Sequence, residues 1–166
     1  MALLESIYGL FSTLPSATQA FEFIQQLISK SKGKKRRLLA EIKHNLRACQ
    51  LVIEFDAEPL KVIPELKTET YDRLMEEGFD FNSLRYGKVR RTKKLAASDL
   101  APLIGKNTAY LVENIYDRIK HVQFLYRFFI VEGNDPQTEK VQWRRRIINI
   151  YKRIALLLDH LKKGEK

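Results

Sequence analysis

Cysteine is almost missing from this chain. Cys49 stands alone among 166 residues, which excludes an internal disulfide and any multi-cysteine zinc site. Glycine is scarce at seven residues, and no glycine-rich phosphate loop occurs. The segment Leu103-Ile-Gly-Lys-Asn-Thr108 matches only the tail of such a loop and lacks its first glycine. No serine sits in a nucleophile elbow. Apolar residues never run on for the ~20 positions that a membrane-spanning helix requires. The opening residues, Met1-Ala-Leu-Leu-Glu5, lack the basic start and apolar stretch of a secretory signal. Together with the unpaired cysteine, this leads to the expectation of a cytoplasmic protein. Strand-type alternation is nearly absent as well, so an all-α fold is expected.

What is present suits a folded protein. The chain is 45% hydrophobic and 30% charged, which argues against disorder. At this length folding buries roughly two thirds of the surface of the extended chain, so a real core forms without staples. Thirty basic residues against twenty acidic ones leave a net charge of +10. The charge is blocky. Residues 32–55 and 85–106 are strongly positive, 56–84 strongly negative, and 135–166 positive again. The acidic block has basic neighbours to fold onto, and the excess leaves a positive surface that attracts polyanions.

Helical period organises the apolar residues. Leu3, Ile7, Leu10, Phe11 and Leu14 share one side of a first helix ended by Pro15. Ser16 with Gln19 forms a capping-box pattern, so a second helix should run from about Ser16 to Lys30. Its apolar side is Ala17, Ala20, Phe21, Ile24, Leu27 and Ile28. A third helix spans about Lys34 to Phe55 with the inner stripe Leu38, Ile42, Leu46, Cys49 and Ile53. Pro64 opens a fourth that should end at Gly78. Phe79, Phe81, Leu84 and Tyr86 look anchored, and Lys88–Lys94 looks exposed. Ser98-Asp99 should cap a short helix through Ile104. Two long helices follow, about Thr108 to Val131 and about Pro136 to Lys163, with Asp135 as cap and Pro136 at the first helical position of the second. The expected architecture is an antiparallel helical bundle of three to four long helices, with smaller helices packed on it, around a dry and site-free interior. Residues 1–31 read as an N-terminal amphipathic segment available for interaction, and 32–166 as the bundle domain.

Several side-chain groupings carry chemistry worth weighing. Glu41-Ile-Lys-His44 has the Glu-x-x-His spacing of di-iron bundles, but His44 falls nearly opposite the inner stripe and no second copy exists. His44, His121 and His160 lie on three different helices, so no metal site and no cofactor are expected. Cys49 reads as a small core residue. Arg118 falls within the apolar stripe of its helix. It must therefore snorkel or join a buried polar layer, to which Asn45 and Asn114 could also belong.

Arg153 and His160, on the last helix, are the only candidate catalytic pair. Their spacing resembles the Arg-x4–6-His motif of HEPN-type helical RNases, with Ile154 in place of the polar residue usual after the arginine. The resemblance implies an RNase in which the pair works on the 2′-hydroxyl and phosphate of RNA.

Three basic clusters form the candidate polyanion-binding set: Lys34, Lys35, Arg36 and Arg37; Arg90, Arg91, Lys93 and Lys94; Arg144, Arg145 and Arg146. The middle one follows Phe79, Phe81 and Tyr86, the interleaving of aromatic and basic groups that nucleic-acid binding uses. No zinc knuckle, recognition helix or aromatic RNA-binding motif accompanies it. The N-terminal helices ahead of Lys30–Arg37 also suggest peripheral membrane contact, although their polar faces carry no cations of their own. The leading expectation is a non-enzymatic protein-interaction or oligomerisation module, with a protein partner or a second copy bound through apolar helix surface and steered by basic faces. The alternatives are the HEPN-like RNase and a basic nucleic-acid-binding protein.

Overall fold

The computed structural model describes residues 2–134 and 138–165. The helices are α1 (Ala2–Tyr8), α2 (Ala17–Lys30), α3 (Gly33–Phe55), α4 (Pro59–Val62), α5 (Glu69–Glu76), α6 (Lys93–Ala96), α7 (Thr108–Tyr126) and α8 (Trp143–Lys163). The long ones pack as an all-helical antiparallel bundle in which α8 lies against α2, α3 and α7. Ser16 caps α2, its hydroxyl accepting from the Gln19 amide. Asp56, at φ 54°, turns the chain out of α3 in the left-handed region. The whole stripe Leu38, Ile42, Leu46, Cys49 and Ile53 is buried.

The departures from expectation have local causes. The first helix ends at Tyr8, short of Pro15, although Phe11 and Leu14 are buried all the same. On α2, Phe23 is buried, whereas Phe21 is only half-buried and lies under the cations of Lys43 and Arg47. The expected fourth helix is broken at Leu66–Thr68, after a 3-10 turn over Ile63–Glu65. Pro102 sits in the middle of the expected short helix after Ser98, which shrinks to a 3-10 turn over Ala101–Leu103. α7 carries on to Val131 through a π-helical turn. α8 begins at Trp143, because Gln142 has φ 58°. The expected cap Asp135 and first-turn Pro136 lie outside the described residues.

α8 is the central rod. Every residue from Arg153 to Leu161 is buried, so this stretch is covered on all sides and not on one stripe. The N-terminal segment supplies the extra cover. Tyr8 and Tyr151 share a buried hydrogen bond of 2.6 Å between their hydroxyls. Thr13 donates its amide to Asp159 at 3.1 Å, and Asp159 also pairs with Lys163 at 3.0 Å. Ile7, Tyr8, Leu14 and Ile24 belong to the same buried cluster as Leu38, Ile147 and Leu157. The apolar faces of residues 2–30, read from sequence as spare contact surface, therefore point into the bundle.

The interior holds polar groups. Glu41, Asn45, Thr108, Arg153, Asp159 and His160 are buried. Glu41 accepts from the amides of Thr70 (2.8 Å) and Tyr71 (3.1 Å), and so caps α5 from a neighbouring helix. It also accepts from the Tyr116 hydroxyl at 2.8 Å, beneath a parallel stack of Tyr116 on Tyr71 with centroids 4.1 Å apart. Asn45 exchanges two 2.8 Å hydrogen bonds with the backbone of Lys67. A polar layer exists, then, but Arg118 stays outside it with an exposed side chain.

Candidate anion-binding cleft

The residues from Arg85 to Arg90 are fixed by short-range chemistry. Asp80 caps the 3-10 turn Phe81–Leu84 through the Asn82 amide. Asn82 in turn accepts from the Ala109 amide at 2.9 Å, tying this turn to the start of α7. Val89 donates to Lys106 and accepts from Gly105, whose φ of +82° closes the loop. These anchors carry Arg85, Tyr86 and Arg90 to the bundle end where α3 begins and α8 finishes.

Arg85 enters a closed ring of hydrogen bonds there. Its Nη1 donates to Nδ1 of His160 at 3.0 Å and to the His160 carbonyl. A guanidinium only donates, so Nδ1 must accept and the imidazole proton sits on Nε2. Nε2 then donates to the Thr108 hydroxyl at 2.9 Å, and that hydroxyl donates to the Arg85 carbonyl. His160 is only 2% exposed. Burial pushes its imidazole down to about 4, the Arg85 and Lys163 charges add to this, and Asp159 opposes it. At neutral pH this histidine is an uncharged strut with both ring nitrogens occupied.

A cleft of about 520 Å³ opens beside this ring. Lys35, Arg85, Arg90 and Lys163 line it together with four leucines, Tyr86 and one carboxylate, Glu165. Tyr86 is 72% exposed, not anchored as its sequence context suggests, and its hydroxyl donates to Asp80. Two of the three basic clusters thus converge: Lys35 comes from the first and Arg90 from the second. Within the first, Lys34 pairs with Glu77 at 2.9 Å and holds that carboxyl below the usual carboxylate range, so part of the acidic block does fold back as expected. Arg36, Arg37, Arg91, Lys93 and Lys94 are exposed. The third cluster is elsewhere. Arg144 donates to the Val52 carbonyl and pairs with Asp56, Arg145 bonds Gln142, and Arg146 bonds the Val141 carbonyl. From Arg144 to Lys163 the rise of α8 separates the two ends by roughly 28 Å.

Arg153 and His160 lie about two turns apart on α8, and neither lines the cleft. Arg153 is buried and donates to Asn114 at 3.0 Å and to the Asn149 carbonyl at 3.0 Å. Desolvation, with Arg118 nearby, lowers it to about 10. His44 bonds the Glu65 carbonyl while Glu41 faces α5, so the Glu-x-x-His pair points apart. Among the described residues no three metal-ligating side chains gather. Burial raises the Cys49 thiol to about 12, which keeps it protonated.

A second hollow, about 620 Å³, lies between α2 and α3 beside Phe21, Leu51 and Phe55. Glu22, Glu54 and Glu65 lie around it with Arg47, so it does not share the positive character of the cleft. Among the described residues no helix is long and apolar enough to cross a membrane.

Sequence reading missed Arg85 and Lys163 as partners of the basic clusters. A usable signal did exist: the polar pair Asp159-His160 interrupts an otherwise leucine-rich run, which marks a buried polar contact needing a partner from elsewhere. Comparison of the chain with protein-family models, with curated proteins and with solved structures gave no match.

Proposed function

We propose that this protein is a non-enzymatic interaction module that docks an acidic protein partner at the basic end of its bundle. The observation carrying this reading is the convergence of Lys35, Arg85, Arg90 and Lys163, from three separate chain segments, on one cleft that leucines also line. Cations supply attraction and steer the encounter, while the leucines offer apolar contact to the partner's side chains. A second copy suits this end poorly, because a chain with net charge +10 repels itself there.

An acidic polypeptide fits better than a nucleic acid. Single-stranded nucleic acid needs open aromatic faces on which bases stack. Of the aromatics interleaved with the middle cluster, Phe81 is buried in a stack on Tyr71, and Phe79 packs edge-on against Phe81. Only Tyr86 of that group is exposed. The unpaired Cys49 is in keeping with a reducing compartment such as the cytoplasm.

Fluorescence anisotropy of a labelled polyglutamate peptide, measured over a salt series, tests the reading. Saturable binding that weakens steeply as salt rises is expected, and an oligonucleotide of equal charge should bind more weakly. Absence of peptide binding at low salt, or a clear preference for the oligonucleotide, would contradict it.

A further inference from the structure

We propose that the cleft is a phosphomonoester site anchored by Arg85. The proposal rests on reading this end as an anion-docking face, and it names the group that docks. Three observations carry it: the state of the Arg85 guanidinium, the space around it, and the cations beside it.

Nη1 of Arg85 is committed inward, to the ring and carbonyl of His160. Its Nε and Nη2 have no hydrogen-bond partner among the described residues, and no carboxylate pairs with it there. Those two nitrogens form one edge of the guanidinium, with parallel N–H bonds spaced to meet two oxygens of a single anion. The side chain is also held in place. A Cβ on Gly164 would come within 2.6 Å of its Cδ and 2.8 Å of its Nε, so the stem packs closely over the bare glycine backbone. Gly87, at φ +137°, is also close by: a Cβ there would lie 3.7 Å from Nε and Nη2, in ordinary van der Waals contact. An arginine anchored on a buried histidine and packed against Gly164 has less freedom left to lose when an anion arrives.

The neighbouring charges select the anion. Lys163 is matched by Asp159 at 3.0 Å. Lys35 and Arg90 have no ion-pair partner among the described residues, and they line the same cleft as Arg85, where Glu165 is the single carboxylate of the lining. A carboxylate has two oxygens and one charge, which the Arg85 edge satisfies alone. A phosphomonoester has three terminal oxygens and close to two charges at neutral pH, and so engages Lys35 or Arg90 as well. The volume of about 520 Å³ leaves room for the group that carries the phosphate.

The phosphate can arrive on a side chain of the acidic partner or as a free ion. Titration of the full chain at pH 7 and low salt, followed by amide chemical shifts, separates these sources. The probes are a short phosphoserine peptide, the same peptide with glutamate in its place, and inorganic phosphate. Saturable binding of the phosphopeptide at least tenfold tighter than the glutamate peptide is expected, with shifts around Arg85, Tyr86 and Lys163. Inorganic phosphate as tight as the phosphopeptide would assign the site to the free ion; weaker binding assigns it to a phosphorylated side chain. Arg85→Lys should weaken binding about tenfold, since lysine cannot present the paired edge. Because that change also touches His160, Arg90→Ala serves as a second variant that leaves the ring intact, with a loss of threefold or more expected. Equal affinity for the phosphoserine and glutamate peptides overturns the proposal and leaves the acidic-partner reading standing. Unchanged affinity in both variants, or no saturation by any phosphate probe, overturns it as well. Phosphate binding without polyglutamate binding would instead remove the acidic-partner reading alone.

Discussion

Nη1 of Arg85 lies 3.0 Å from Nδ1 of His160, although 75 positions separate the two residues in the chain. The contact makes an uncharged imidazole part of the scaffold and ties the bundle's central helix to its basic cleft.

Acid should undo that tie. The folded-state value of His160, about 4, lies below its ordinary 6.5. Between those values the unfolded chain holds the extra proton, so stability is whole above pH 6.5 and falls as pH drops through 4. At pH 4.5 the expected loss from this group is about 2 kcal/mol. Urea unfolding at pH 7 and pH 4.5 measures it against His160→Gln. Glutamine offers an acceptor to Arg85 and a donor to Thr108 without titrating, so the variant should be the less acid-sensitive protein. Equal acid sensitivity of the two would contradict the assignment.

Glu41 ties α5 and α7 to α3. Glu41→Ala leaves the amides of Thr70 and Tyr71 and the Tyr116 hydroxyl without their acceptor, at an expected cost of about 3 kcal/mol. Glu41→Gln keeps an acceptor oxygen and should cost less. Chemical denaturation followed by circular dichroism distinguishes the two, and a neutral alanine variant would show that the cap is idle.

The N-terminal helices should behave as core. Removing residues 1–31 strips Ile7, Tyr8, Leu14, Phe23 and Ile24 from the buried cluster and uncovers α8. The remainder is expected to lose cooperative melting. A milder probe is Tyr8→Phe, which leaves the Tyr151 hydroxyl without its buried partner and should cost about 1 kcal/mol. A truncated chain that still melts sharply would place the fold's stability in residues 32–166 alone.

RNA cleavage assays address the Arg153–His160 pair. Both ring nitrogens of His160 are engaged, and it is neutral at pH 7. Degradation of RNA by the purified protein is therefore expected to be the same with and without Arg153→Ala and His160→Ala. Cleavage that disappears in the double variant would restore the RNase reading.

Much of this fold is legible from helical periodicity, and the reasons are physical. The stripe from Leu38 to Ile53 and the run from Trp143 to Leu161 repeat at helical spacing, and both are buried. Punctuation by Ser16 and Gly78 is local chemistry that acts where the sequence puts it. Periodicity assigns one buried face to each helix, and α8 has no open face between Arg153 and Leu161. The cover includes Tyr8 and Thr13, more than 140 residues away; the polar Asp159 signals locally that a partner is needed, but nothing local says which residue supplies it. The cleft follows the same logic. Lys34–Arg37 and Arg90–Lys94 are plain in the sequence, but their meeting at Arg85 depends on Asn82, Val89 and Thr108 docking the loop. Arg144–Arg146 looks equivalent to them in sequence and is sent to the opposite end by the direction of α8.

The sharpest test compares the two ends directly. Lys35→Glu with Arg90→Glu reverses charge in the cleft, and Arg144→Glu with Arg145→Glu makes the same net change roughly 28 Å away. Polyglutamate affinity at low salt should fall at least tenfold in the first protein and stay within about twofold of the parent in the second. Equal losses at both ends would mean that net charge alone attracts the peptide and that the cleft is not the docking site.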